Sequence, residues 1–136
     1  MTHTVGPARR AGGLLLATLV VLAGCQTKAP PATVSGKVTY KNQPLTSGFV
    51  NFYMPDKGIA AQGQIDADGN YKLQGEIIAG TFKVYVQPPT PEQLPPGKVS
   101  KRPPFNVPPK FQDPAQTPMT KEVKAGANDI PIELTD

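Results

Sequence analysis

An all-β sandwich is the fold class this chain predicts, and three observations carry it. From Thr33 onward, apolar residues recur at every second position, the spacing of strands with one buried face. The alternating stretches are separated by short clusters of Gly, Pro, Asn and Asp, which turn chains and interrupt strands. No stretch after the first two dozen residues places apolar side chains at the three-to-four spacing of an amphipathic helix. About seven short strands joined by turns bury their apolar faces by forming two sheets packed face to face.

The elements follow in order. In Val34-Ser35-Gly36-Lys37-Val38-Thr39-Tyr40, the residues Val34, Val38 and Tyr40 share the inward face. Asn42-Gln43-Pro44 reads as a turn. Phe49 to Met54 directs Val50, Phe52 and Met54 inward, and Pro55-Asp56-Lys57-Gly58 ends it. Ala61 to Asp66 alternates again with Gln62, Gln64 and Asp66 outward, and Asp66-Ala67-Asp68-Gly69 forms a tight turn. Tyr71 and Leu73 point inward from the next strand. Thr81 to Gln87 places Phe82, Val84 and Val86 inside and Lys83, Tyr85 and Gln87 outside. Residues 88–118 then hold 11 of the 17 prolines. A proline has no ladder donor, so this segment stands outside any sheet, favours extended conformation and reads as an insertion. Strands return at Met119 to Lys124 and Asp129 to Leu134. In the last, Ile130, Ile132 and Leu134 face one side, and Pro131 demotes the strand to a sheet edge.

The residues before Thr33 are of another kind. Arg9 and Arg10 precede a leucine-rich apolar run, Ala11 to Ala23. A run of that length falls short of the roughly 20 residues a membrane span needs. A basic start, a short apolar stretch and small residues before a cut site make a secretory signal peptide. The run ends in Leu22-Ala23-Gly24-Cys25, which holds the chain's one cysteine and resembles the lipobox of bacterial lipoproteins. The resemblance implies a diacylglyceryl group on the Cys25 sulfur, cleavage before it, and membrane anchoring through the acyl chains. Gln26 in place of Asp implies outer rather than inner membrane. The expected organisation is a signal peptide over 1–24, a lipidated tether over 25–32 and a domain over 33–136, with 88–118 inserted before the last two strands.

A second resemblance lies in the domain. Val34 to Tyr40, Gln43-Pro44-Leu45 and Gly48-Phe49-Val50-Asn51-Phe52 resemble the opening of carboxypeptidase-regulatory-like domains. Gly63 to Leu73 resembles their middle hairpin, and Ala79-Gly80-Thr81-Phe82-Lys83-Val84-Tyr85-Val86 resembles their late strand. The stretch from Val107 to Pro114 with the last strands resembles the ending of small planctomycete-type lipoproteins. The implied fold is a Greek-key sandwich of transthyretin or prealbumin type. Fold of this kind does not fix activity.

Composition narrows the function. Removal of Arg9 and Arg10 leaves 12 Lys and Arg against 10 Asp and Glu, since 14 less two is 12. That balance is no signature of a nucleic-acid binder. His3 leaves with the leader, so Ser35, Ser47 and Ser100 have no imidazole to activate them. Hydroxyisourate hydrolases of the transthyretin-like fold depend on histidines that the processed chain lacks. The residues call for no metal and no cofactor. Asp66-Ala67-Asp68-Gly69-Asn70 has glycine fourth and Ile77 twelfth, against the sixth-position glycine and twelfth-position glutamate of a calcium loop. Lys98, Lys101 and Arg102 form a small basic cluster that reads as a solvated loop.

The outward aromatics remain. Phe49 and Tyr53 share a face with Asn51, and Tyr85 projects from a neighbouring strand. Two readings stand: a flat binding surface, or packing beneath the proline-rich segment, which the cost of an exposed aromatic cluster favours. The function expected is a non-catalytic binding or structural module at the cell envelope, with an envelope protein or glycan as partner. The alternatives are a carbohydrate-binding module and an enzyme working with carboxylates alone. The lipobox resemblance generates a first prediction. Cys25→Ser should move the protein from the membrane fraction to the soluble fraction of its native host. Intact-mass spectrometry of the unaltered protein should show a processed N-terminus carrying acyl chains.

Overall fold

The computed structural model describes residues 1–3, 6, 30–75, 77–102 and 104–136. Leu22, Ala23, Gly24 and Cys25, with the leader's apolar run and the tether up to Ala29, lie outside the described residues. No helix among the described residues is long and apolar enough to cross a membrane. Among the described residues, ten strands form two sheets, with two single-turn 3-10 segments at Pro55–Lys57 and Pro109–Phe111.

The first sheet is organised by one strand, β1 (Pro31–Tyr40). Along one side it meets β6 (Ile77–Ile78), then β5 (Asn70–Lys72), then β2 (Gln43–Pro44), all antiparallel. Along the other side it meets β9 (Gly126–Asp129) and then β10 (Ile132–Leu134), both parallel. The sheet thus has six strands but is three strands wide, with β1 in the middle throughout. The second sheet runs β4 (Ile59–Gln64), β3 (Phe49–Met54), β7 (Gly80–Gln87), β8 (Thr120–Val123), every pair antiparallel. Alternation then sorts the side chains. Val50, Phe52, Phe82, Val84 and Val86 from the second sheet meet Val34, Val38, Ile77, Ile132 and Leu134 from the first in one core. Phe52 packs against Tyr71 and Phe82 with ring centroids 6.2 and 6.1 Å apart and tilted planes, a favourable aromatic geometry.

Seven of these strands match the seven read from the alternation. The other three are short. The turn expected at Asn42-Gln43-Pro44 is instead Lys41–Asn42, both at positive φ of 50° and 64°, the backbone of a two-residue hairpin. Gln43 and Pro44 then pair with Tyr40 and Thr39. The last expected stretch, Asp129 to Leu134, is shorter as a strand, β10 at Ile132–Leu134; Asp129 instead ends β9, whose other residues lie outside the expected strands, and Pro131 interrupts the ladder between them. β1 begins at Pro31, so the final two residues of the expected tether belong to the sheet, and Ala32 is buried.

The break between β9 and β10 lies against Gly36. A Cβ there would sit 2.1 Å from the Ile130 carbonyl oxygen and 3.1 Å from the Tyr71 ring. Tyr71 stands opposite Gly36 across the β1–β5 pairing and donates its phenol to the same carbonyl at 2.7 Å. The Ile130 N–H donates to Ser35 O at 2.8 Å. Burial, with the nearby Asp129 carboxylate, holds the Tyr71 phenol well above its ordinary pKa and therefore neutral.

The end of the proline-rich stretch also belongs to the body of the protein. Val107 and Phe111 are core residues. β8 pairs with β7 only over Gly80 to Lys83. Beyond that, Thr117 Oγ1 donates to Val84 O at 2.6 Å, and Val84 N–H donates to Met119 O at 3.0 Å. The insertion thus closes the sheet edge that β8 leaves open.

Two substitutions test the β1 crossing. Gly36→Ala forces a methyl against a backbone carbonyl that cannot give way, and should cost about 3 kcal/mol or more in urea unfolding. Tyr71→Phe keeps the ring and leaves the Ile130 carbonyl without its donor, at about 1–2 kcal/mol.

Candidate functional site

The register of the second sheet decides what its outer face presents. Across β4, β3 and β7, Gln64 lies beside Phe49 and Gln87, Gln62 beside Asn51 and Tyr85, and Ala60 beside Tyr53 and Lys83. Phe49, Asn51, Tyr53 and Tyr85, named from the sequence, are therefore brought onto one surface. Asn51 is its centre. It is 7% exposed and its amide is used on both sides. Gln62 Nε2 donates to Asn51 Oδ1 at 3.0 Å, and Asn51 Nδ2 donates to Gln87 Oε1 at 3.2 Å. A buried amide bonded in this way is a fixed piece of scaffold. The two outer amides are exposed, and each keeps a heteroatom with no bond to the described residues. The row therefore offers hydrogen-bonding groups at two fixed places.

Rings frame this row. Tyr53, Tyr85 and Phe49 are each half-buried. Burial raises the Tyr85 phenol above its ordinary pKa, and Tyr53 adds a smaller effect of the same sign. Phe49 sits at the end of the face where the chain leaves β7. There Phe49, Gln62 and Gln87 line a cleft of about 510 Å³ with Pro88, Pro89, Thr90 and Pro91. Phe49 and the start of the proline-rich segment thus face one another across this cleft. Tyr53 and Tyr85 stand outside the core cluster.

Gly48, just before β3, fixes this end. Its φ is 110°, and a Cβ on it would fall 2.6 Å from Gln87 O and 2.8 Å from the Phe105 ring. Only glycine lets Phe105 lie across the start of β3. Phe105 in turn packs against the core and holds the far side of the insertion to the sandwich. Arg102 is tied back as well, donating from Nη1 to Thr90 O at 2.8 Å and from its backbone N–H to Ser100 Oγ at 3.1 Å. Ser100 Oγ donates to Glu92 Oε2 at 2.9 Å. The basic cluster expected to be solvated is indeed exposed, but its Arg is an anchored part of the loop.

The Asp66 turn uses its carboxylate internally. Oδ1 accepts the N–H groups of Asp68 and Asn70, both at 2.9 Å, and Oδ2 accepts from Asn70 Nδ2 at 3.4 Å. The backbone closes with Asp66 N–H donating to Asn70 O and Gly69 N–H to Asp66 O. These bonds hold the Asp66 pKa below its ordinary value, the Asn70 N–H being the largest cause. No Asp or Glu among the described residues is buried. No three of His, Cys, Asp and Glu among the described residues gather where they could hold a metal ion.

Gln62 and Gln87 were not singled out from the sequence. Their outward orientation was readable. Their alignment on either side of Asn51 depends on a register that alternation alone does not set.

The fold and face together define a two-sheet all-β domain with an aromatic and amide surface. No known protein family matches the chain, and no curated protein does. Among solved structures, a DUF3823 family protein from Parabacteroides merdae ATCC 43184 is similar, with 14% identity and a TM-score of 0.45. The match covers 79% of this chain and 47% of that one, so this chain corresponds to about half of that protein's length.

The Asp66 turn gives a pH prediction. A carboxylate whose folded pKa lies below its unfolded value of 3.8 contributes stability that is complete above 3.8. That stability is lost as pH falls from there through the lowered folded value. Asp66→Asn should therefore flatten the acid limb of a stability-versus-pH curve below about pH 4, and leave the slope between pH 5 and pH 8 unchanged, as followed by thermal melts.

Proposed function

We propose that this chain is a non-catalytic, lipid-tethered module of the cell envelope whose outer β4–β3–β7 face binds glycan. The observation that carries the reading is the hydrogen-bonded Gln62–Asn51–Gln87 amide row on the same face as Tyr53, Tyr85 and Phe49. Sugar rings have an apolar face of C–H groups and a rim of hydroxyls that both donate and accept. Half-buried aromatic rings suit the first, and side-chain amides, which carry donor and acceptor together, suit the second. An open sheet face suits a long polymer better than a small enclosed ligand. This makes the carbohydrate-binding alternative the favoured form of the envelope-module reading.

Nothing in the modest charge balance favours nucleic acid. Attachment at Cys25, with Gln26 after it, belongs to the same proposal and implies an outer-membrane location. Orientation follows from β1. The chain enters at Pro31, beside Ile78 and close to Gly126, and leaves at Tyr40. Ten residues of strand span about 30 Å. Met54 Cε lies 2.4 Å from a Cβ built on Gly80, two residues beyond Ile78. The Met54 end of the glycan face is therefore at the tethered pole, and the Phe49 end points away from the membrane.

Tyr53→Ala with Tyr85→Ala should lower retention of the protein on insoluble envelope polysaccharide from its host by about tenfold or more, since stacked rings contribute on the order of 1 kcal/mol each. The melting temperature should fall by only a few degrees, because both rings lie outside the core. Unchanged retention in the doubly substituted protein, or a collapse of stability, would refute the reading.

A further inference from the structure

We infer that the face has a charged subsite at its membrane-distal end, where Arg102 receives the acidic group of a sugar residue. The inference rests on the glycan reading and names the class of glycan as acidic, bearing a carboxylate or a sulfate ester. Beside the cleft that continues the amide row lies a second hollow of about 540 Å³. Its walls come from three places: Thr46 to Phe49 before and at the start of β3, Gln64 to Ala67 at the end of β4, and Pro89, Thr90 and Arg102 from the insertion. Phe49, Pro89 and Thr90 line both spaces. A chain lying along Tyr85 and Gln87 would reach this hollow by crossing Phe49.

The cation in the hollow is placed by the fold. Arg102 bridges the base of the insertion to Thr90, only three residues past the end of β7. Ser100 holds the Arg102 backbone, and Glu92 holds Ser100. That arrangement spends one of the five guanidinium N–H groups and leaves the remainder for a ligand. No carboxylate among the described residues pairs with Arg102. Asp66, the acid in the hollow wall, already accepts three hydrogen bonds within its own turn. Thr46 and Ser47 put hydroxyls on the same wall. A guanidinium fork is suited to a planar carboxylate or to two oxygens of a sulfate. Hydroxyl neighbours serve the rest of such a sugar. The insertion thereby acquires a role: it brings a positive charge from outside the sheet to the end of a neutral face.

The test uses the full-length chain in non-ionic detergent, run through native gels at physiological salt with polygalacturonate, dextran sulfate or hydroxyethylcellulose in the matrix. Retardation by polygalacturonate identifies a carboxylate ligand, and retardation by dextran sulfate a sulfate ester. Arg102→Gln should weaken retardation by the acidic polymer about tenfold. Lys98→Gln, on the same loop but outside the hollow, should leave it unchanged. An equal loss in Lys98→Gln would show general charge attraction and overturn the subsite. So would an Arg102→Gln protein that migrates like the unaltered one. If Tyr53→Ala with Tyr85→Ala weakens retardation and Arg102→Gln does not, or if only hydroxyethylcellulose retards the protein, the subsite falls and the glycan face stands. If no polymer retards the protein, both fall.

Discussion

The structure depends on one strand having sheet neighbours along both of its sides, interrupted on one side at its middle. β1 gives its first residues to β6 and β9, its middle to β5, and its last to β2 and β10. Five short strands, none longer than four residues, are thereby tied to a single ladder. None of them is long enough to make a stable sheet on its own. The difficult point is the middle, where β9 gives way to β10 and the chain must pass Pro131. There the Ile130 carbonyl turns out of the parallel ladder toward Gly36, and Tyr71 supplies the hydrogen bond that a sheet neighbour would otherwise give. A small residue on one strand, an aromatic ring over it and a proline beyond it are one device. Each is needed because of the other two.

That device was half legible. Val34, Val38, Tyr71, Ile130, Ile132 and Leu134 were all read as inward, and all are buried, because a period of two fixes which residues share a face. Pro131 was read as an edge marker, and β9 and β10 do form the edge. A separate strand β9 before β10, and the break at Ile130, were not legible, because the break depends on what Gly36 allows from 94 positions away. The short strands β2 and β6 were missed for a related reason. Two residues carry no periodicity, and they are strands only because β1 is there to pair with them.

The candidate face shows the same boundary. Outward direction along a strand is local, so Phe49, Asn51, Tyr53 and Tyr85 could be named. Neighbourhood across strands is not local. Asn51 is special because Gln62 and Gln87 arrive on either side of it, from positions 11 and 36 residues distant. A polar residue at the centre of a sheet face would ordinarily be left to water. Here its neighbours cover it and satisfy it, and they become the exposed ends of a fixed row. No strand falls within residues 88–118 among the described residues. Nothing in the sequence showed that Val107 and Phe111 would enter the core or that Thr117 would close an edge.

The insertion therefore serves two ends with two halves. Its later half behaves as core and edge, held by Phe111, Thr117 and Val107. Its earlier half is exposed from Pro91 to Arg102, yet it is drawn back onto the sandwich at Thr90, Arg102 and Phe105. Proline suits such a segment because it limits the conformations of the unfolded chain and needs no hydrogen-bond partner for a backbone N–H. A glycine-rich loop of the same length would lose more entropy on ordering and would hold a guanidinium less firmly. Rigidity at this place matters only if something must be presented there. That is why the composition of the insertion, an oddity when read for fold alone, accords with the proposed binding surface continuing past the end of the sheet.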